Sequence, residues 1–241
     1  MTATVIPFAA DAVTAAQILP AARSPAAGPV AYRLPSVTVA AGTALRLNSA
    51  KIEFGEPPPL QTLVSVADQL AFLRGHFQHE CGIWAKHTRL FMARYIDWID
   101  AEIAANRTEL AEKLARFGTL YAPEQWSFSA LRPLARAHLA APETPGATLP
   151  DTLVRADIAF WTETGAVAID LVGGATRGTA DSRRRARLDK AGIRVIDMPV
   201  PVLTDGAAGF AACLPNDFQG FWRGESLPSG PFGNDAIGLP S

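Results

Sequence analysis

The chain has 241 residues, of which 49% are hydrophobic, and its formal net charge is −1 at pH 7. A chain of this length can bury the core of one large domain or of two small ones. The near-zero charge excludes a general electrostatic attraction to nucleic acid, so binding of that kind must depend on a local basic patch. The two cysteines are too few for a disulfide framework, which is typical of a protein from a reducing cytoplasm.

The sequence contains no membrane-targeting pattern. No stretch approaches the roughly 20 consecutive apolar residues that a membrane-spanning helix needs. The alanine-rich N-terminus has no basic residues ahead of its apolar stretch, so it does not resemble a signal peptide. We therefore expect a cytoplasmic protein without a membrane partner.

The N-terminal part of the chain contains three stretches that differ in composition and in the spacing of apolar residues. Residues 1–28 are rich in alanine and proline and predict a flexible arm, whereas residues 30–39 and 43–54 suit a small β-hairpin. Over residues 60–117 apolar side chains recur at helical spacing, with an interruption predicted at Gly75. The apolar stripe of such helices must pack against the hairpin, the later sheet or a second subunit. The last option would be a homodimer formed through the helical region.

Three β-rich stretches follow the helical region. Residues 128–139 predict the first strand of a sheet, bent at Pro133, and a helix over residues 134–140 is the main alternative. Residues 153–161 and 166–172 predict two further strands joined by a tight turn. The last of these strands is almost continuously apolar, which favours burial on both faces of the sheet.

A basic helix is predicted between the last two strands of the sheet. It begins at Asp181 or Ser182 and ends near Ala191, where Gly192 suits the position just after the C-terminus. Residues 193–198 predict the strand that follows, and strand, crossover helix and strand together indicate a parallel pair. The predicted fold class is therefore α/β: a mixed sheet with a crossover helix, preceded by a helical N-terminal region and a small β-hairpin.

Two acidic residues, Asp157 and Asp170, lie inside predicted strands. A carboxylate at such a position needs a partner, because an unpaired buried charge is destabilising. The two acids could face each other on adjacent strands and bind a divalent cation through their oxygens. Alternatively, each acid could pair with a nearby arginine, and the candidates are Arg155, Arg184 and Arg194.

Four short pieces of this region together match a known pattern. They are Asp157, the strand end Ile169-Asp170-Leu171-Val172-Gly173-Gly174, the helix positions Asp181, Arg184, Leu188 and Gly192, and the strand Ile193-Arg194-Val195-Ile196. In this order and spacing they resemble the PD-(D/E)xK superfamily of restriction-endonuclease-like proteins, in its very-short-patch-repair-like branch. Members of that branch carry an acid in one strand, a strand ending E-x-D-G-G, a helix with D-x-x-R-x-x-x-L-x-x-x-G and a closing strand with R-V.

The resemblance implies a restriction-endonuclease-like fold and hydrolysis of DNA phosphodiester bonds with Mg²⁺ or Mn²⁺. Asp157 and Asp170 would be the catalytic metal ligands, and the metal would activate the attacking water. Arg184 would act as an electrostatic stabiliser, since arginine stays protonated and cannot serve as a base. Glu112, on an upstream helix, would supply a further ligand or orient the water.

The sequence also departs from the family pattern at a critical position. The residue two beyond the second acid returns to the same strand face and is usually lysine, or aspartate in this branch. Here it is Val172, which can neither bind a metal nor orient a water. The alternative function is therefore a catalytically inactive nuclease-fold domain that binds nucleic acid or a protein partner.

The predicted basic helix offers a surface for weak, non-sequence-specific contacts with DNA. The arginines expected to contact phosphates are Arg183, Arg185, Arg187 and, in the preceding loop, Arg177. Contacts of this kind position nucleic acid without reading its sequence. The alternative interpretation is a solvated helix whose charges are balanced by Asp181 and Asp189.

These predictions divide the chain into four segments. They are a flexible arm (residues 1–28), an N-terminal hairpin plus helical region (29–105), an endonuclease-like α/β domain (106–223) and a flexible tail (224–241).

Overall fold

A computed structural model describes residues 3–7, 36–40, 42–47, 52–53, 65–81, 85–116, 122–140, 153–173 and 179–223 of the chain. The described helices are α1 (Val66–Glu80), α2 (Lys86–Ala105), α3 (Arg107–Ala115), α4 (Thr179–Lys190) and α5 (Ala207–Cys213). The described strands are β1 (Ala3–Pro7), β2 (Ser36–Ala40), β3 (Ile52–Glu53), β4 (Leu134–Ala135), β5 (His138–Ala140), β6 (Leu153–Arg155), β7 (Ile158–Thr162), β8 (Gly165–Val172) and β9 (Arg194–Pro199). The fold is therefore mixed α/β.

The largest sheet has the strand order β4-β7-β8-β9. Strands β4, β7 and β8 are antiparallel neighbours, whereas β8 and β9 run parallel, with α4 as the connection between them. The parallel pair predicted from the strand–helix–strand pattern is thereby confirmed. The turn between β7 and β8 contains Gly165 at φ +131°, a conformation that glycine adopts without steric cost.

Strands β7 and β8 at the centre of the sheet are buried on both faces, and a different layer covers each face. On one face Ile158, Phe160 and Ile169 join the large core that also contains side chains of α2. On the other face Ala159 and Ala168 pack in a smaller core with Leu188 of α4. This two-sided burial explains why β8 is almost continuously apolar, as expected for a strand with no solvent-facing side.

The helical region packs its apolar stripe against this sheet. Phe91 and Tyr95 of α2 lie with their ring centroids 6.3 Å and 5.3 Å from the ring of Phe160. The Tyr95 hydroxyl donates a hydrogen bond of 2.8 Å to the Leu131 carbonyl oxygen. Within the described residues, the stripe therefore contacts the later sheet, which is one of its three predicted partners. The boundary predicted at residue 105 runs through this shared core, and the homodimer stays a prediction.

The predicted N-terminal hairpin is only partly correct. Strand β2 does pair with β3, but β1 pairs with the other edge of β2 to make a three-stranded sheet. Strand β1 lies within the predicted flexible arm, where Thr4, Val5 and Ile6 supply three residues with good β-propensity. Residues 43–47, predicted as part of the hairpin's second strand, instead attach to the main sheet, where the Leu45 N–H bonds to the Trp161 carbonyl oxygen at 2.9 Å.

Two other local predictions are also wrong. Helix α1 continues through Gly75, because a single glycine weakens a helix without ending it. The strand predicted over residues 128–139 is instead a 3-10 helix at Pro123–Ser129 followed by the short strands β4 and β5. Arg136, between those strands, has φ +49° and turns the chain from one sheet into another, which also rules out the alternative helix.

The end of α4 follows its prediction. Gly192 has φ +71°, its N–H bonds to the Asp189 carbonyl oxygen, and the Ile193 N–H bonds to the Leu188 carbonyl oxygen, both at 3.0 Å. These two bonds are the pair that defines a Schellman C-cap. The cap reverses the chain directly into β9.

Residues 224–241, predicted as a flexible tail, lie outside the described residues, as does Arg177. None of the helices in the described part of the chain has the length and apolar character needed to cross a membrane.

Two glycine substitutions should change stability in opposite directions. Gly192→Ala should lower the free energy of unfolding by about 1–2 kcal/mol, since a side chain at positive φ is strained. Gly75→Ala, in the interior of α1 with no atom near the added Cβ, should raise it by about 0.5–1 kcal/mol. Urea denaturation of both variants measures the two changes. A loss of stability in both variants would contradict the helical position of Gly75.

Candidate functional site

Acidic side chains lie side by side on β8, on β9 and just before β7. The strand predicted over residues 153–161 is divided into β6 and β7, and Asp157 lies in the break between them. Asp170 of β8 pairs in register with Asp197 of β9. On the other side of β8, Ile158 pairs with Ile169, so the preceding residue, Asp157, lies beside Asp170. Because side chains alternate across a strand, these acids share the sheet face that α4 covers. We call Asp157, Asp170 and Asp197 the carboxylate row.

Asp170 forms a two-bond ion pair with Arg184 of α4. One guanidinium nitrogen, Nη1, donates to Oδ1 at 2.9 Å, and Nη2 donates to Oδ2. Asp170 is only 4% exposed, and the Arg184 side chain is 28% exposed. The same Nη1 also donates to the Arg155 carbonyl oxygen at 2.9 Å. The acid at the sheet centre is thus neutralised by the bidentate geometry that only arginine provides.

Helical periodicity brings Arg184 to this position. Leu188, one turn further along α4, is fully buried against the sheet, and residues four apart lie on the same helix face. Burial alone disfavours the charged form of Arg184. The hydrogen bonds and attraction of Asp170, with smaller contributions from Asp157 and Asp181, outweigh that burial and raise the pKa of the guanidinium.

The other two acids of the row also have basic neighbours. Asp157 accepts a hydrogen bond of 3.0 Å from the Leu171 N–H, and Arg155 lies 3.7 Å from it. Asp197 pairs with Arg185 of α4 at 2.7 Å, near the protein surface. The arrangement is therefore the alternative in which nearby arginines neutralise the acids.

The residues that the resemblance assigns to a metal do not fit a metal in this arrangement. Both oxygens of Asp170 accept hydrogen bonds from Arg184, and one oxygen of Asp157 accepts the Leu171 N–H. Val172, the next residue on this face, adds no ligand. Within the described residues, no group of three or more His, Cys, Asp or Glu side chains could hold a metal ion.

The described residues do not bring Glu112 to the carboxylate row. Glu112 is exposed on α3, and its neighbours Leu110 and Leu114 belong to the core on the opposite face of the sheet. The sequence placed Glu112 on a helix correctly, but a helix pattern alone does not tell which sheet face the helix covers.

The arginines of α4 differ in their surroundings. Arg183 is exposed and forms no ion pair within the part of the chain that is described. Arg185 bonds to Asp197. Arg187 is half-buried, and its enclosed Nη2 atom has no hydrogen-bond partner among the described residues. The outward basic surface of α4 is therefore smaller than its sequence suggests.

Sequence reasoning missed Asp197. Its position two residues after Val195 marks it as sharing a strand face with that residue. Its register opposite Asp170 is set by the parallel pairing of β8 with β9, which the sequence pattern leaves open.

Comparison with protein-family models, with curated proteins and with solved structures found no match for this chain.

Two arginine substitutions on α4 should have unequal effects on stability. Arg184→Met should lower the free energy of unfolding by about 2–4 kcal/mol, because it leaves the Asp170 carboxylate buried without its partner. Arg185→Met is the matched control and should cost less than about 1 kcal/mol, because its ion pair with Asp197 is close to solvent. Urea denaturation at pH 7 measures both values. Equal losses would show that Asp170 does not depend on Arg184.

Proposed function

We propose that this chain is a catalytically inactive, nuclease-like α/β domain that binds the phosphate backbone of nucleic acid. The observation that carries this proposal is the bidentate ion pair between Arg184 and Asp170, at the position where the resemblance expects a metal ligand. The mixed sheet and its crossover helix, together with the motif order, support a restriction-endonuclease-like fold as part of the same proposal.

The chemistry of the pair supports the proposal that the domain is catalytically inactive. A guanidinium remains protonated at every physiological pH, so Arg184 cannot take a proton from water. The carboxylate that would bind a cation is instead saturated by two charge-assisted hydrogen bonds. Val172 offers no group to orient a nucleophile. The pair therefore stabilises the sheet and closes the position to a metal.

Binding would depend on basic side chains that are not neutralised by the acidic residues. Arg183 is exposed on α4, and the cations Lys86 and Arg136 line one cavity near Asp157. Contacts between such groups and backbone phosphates carry no sequence information. With two or three contacts, binding should be weak and should fall as salt is added, because the counterions that the protein releases then enter a more concentrated solution.

A second candidate function is a metal-dependent endonuclease that hydrolyses DNA with Mg²⁺ or Mn²⁺. The observation in its favour is the strand register, which sets Asp157 and Asp170 side by side on one sheet face. This function requires Arg184 to release Asp170. The two candidate functions therefore differ in whether the ion pair between Arg184 and Asp170 stays closed or opens to admit a metal.

A combined cleavage and binding experiment separates the two functions. The chain should leave supercoiled and single-stranded DNA intact in Mg²⁺ or Mn²⁺, while binding labelled DNA of unrelated sequences equally. The binding constant should fall roughly 10–40-fold between 50 and 200 mM salt, as two to three phosphate contacts imply. Fluorescence anisotropy measures the binding, and gel electrophoresis of the plasmid measures the cleavage.

Two controls make the result specific. Arg183→Ala should weaken DNA binding, whereas Arg116→Ala, which removes an exposed arginine just after α3, should leave it unchanged. Metal-dependent cleavage that Asp170→Asn abolishes would overturn the proposal and establish the endonuclease. A folded chain that binds no DNA at 50 mM salt would also overturn it.

A further inference from the structure

A cavity of about 530 Å³ lies beside the carboxylate row, where the beginning of β7 and the end of β8 meet the beginning of α2. Among the described residues, its polar lining comprises Lys86, His87, Thr88, Arg136, Arg155 and Asp157. Binding sites for small molecules span roughly 300–1,000 Å³, so this cavity has the size of a ligand site. None of the sequence patterns pointed to it, since its walls come from four separate parts of the chain.

The cavity has an excess of positive charge. Among the described residues, three cations, Lys86, Arg136 and Arg155, line it against one carboxylate, Asp157. That carboxylate already accepts the Leu171 N–H. Lys86 and Arg136 form no ion pair within the described part of the chain. An anion is therefore the ligand that would balance these charges.

The first turn of α2 adds hydrogen-bond donors to the same wall. The N–H groups of Lys86, His87 and Thr88 have no partner inside the helix, because the first turn lacks preceding carbonyl groups. Ala85 at the N-cap has only a methyl side chain, which cannot accept hydrogen bonds from these N–H groups. The first turn contains no acidic residue. Donors at a helix N-terminus favour bound anions.

Thr88 provides an independent indication of a ligand. The residue is only 6% exposed, and it lines the cavity. No hydrogen bond of its hydroxyl group occurs among the described residues. An anion in the cavity would supply an acceptor for this hydroxyl group.

Arg136 is held in a strained backbone conformation at this wall. Its φ of +49° is unusual for a residue other than glycine, and its N–H donates to the Asp157 carbonyl oxygen at 2.8 Å. Strained residues cluster at ligand-binding sites, where the surrounding structure maintains them. The strain here fixes an arginine next to Asp157.

We infer that this cavity binds a phosphomonoester group. A phosphate dianion matches three cations, a guanidinium suits its oxygens geometrically, and the cavity has room for the attached nucleoside. The group could belong to a free mononucleotide or to the phosphorylated end of a nucleic-acid strand. The second source rests on the proposed function, whereas the phosphate site itself does not.

The test uses inorganic phosphate, a 5′-mononucleotide, and one oligonucleotide with either a 5′-phosphate or a 5′-hydroxyl group. Isothermal titration calorimetry in a chloride buffer should show saturable binding of phosphate and tighter binding of the larger phosphorylated ligands. Arg136→Gly should weaken phosphate binding at least tenfold without lowering the melting temperature, because glycine adopts positive φ freely. Lys86→Gln should weaken it as well, and Arg116→Ala, which removes an exposed arginine just after α3, is the matched control that should not.

Each outcome has a defined meaning. A tenfold preference for the 5′-phosphorylated oligonucleotide over the 5′-hydroxyl form supports a strand end as the ligand. An affinity for the mononucleotide equal to that for the 5′-phosphorylated oligonucleotide supports a free nucleotide. Phosphate binding that is absent, or unchanged in Arg136→Gly and Lys86→Gln, overturns the inference even if DNA still binds at α4. Phosphate binding without any DNA binding upholds the inference and overturns the proposed function instead.

Discussion

The structure depends on one requirement, which is to neutralise the carboxylate of Asp170 at the centre of a sheet whose central strands are buried on both faces. Leaving such a charge unpaired would cost several kcal/mol, roughly half the stability of a small domain. Arg184 meets the requirement from α4, and it can do so only if α4 packs across β8 and β9. The same ion pair therefore orients the crossover helix, and Leu188 and the cap at Gly192 maintain that orientation.

This ion pair also determines what the site can do. In a nuclease of the PD-(D/E)xK type, the acid at the position of Asp170 must be available to a metal, but here its oxygens are bound to Arg184. The positive charge that remains for a ligand lies farther along the sheet, at the beginning of α2. We therefore expect the chain to recognise phosphate through its cations and to leave the phosphate intact.

Local patterns predicted the part of the fold nearest the site. The continuous apolar run of β8, the helical spacing of Arg184 and Leu188, and Gly192 at a C-cap each depend on a few neighbouring residues, so they can be recognised in the sequence. The pairing of Asp197 with Asp170 depends on the register of two strands separated by a helix. The cavity depends on bringing Lys86, Arg136 and Asp157 together from distant parts of the chain. Such contacts arise from tertiary packing, which overrides local propensity, as it also does in residues 128–139.

The most direct test of the central ion pair is a double-mutant cycle on Asp170 and Arg184. The free energy of unfolding would be measured for the native chain, Asp170→Asn, Arg184→Met and the double variant. If the guanidinium neutralises the buried carboxylate, the two substitutions should be non-additive by about 1.5–3 kcal/mol, with the double variant more stable than Arg184→Met alone. Additive losses, with no coupling between the two positions, would show that Asp170 is free of Arg184 and available to a metal.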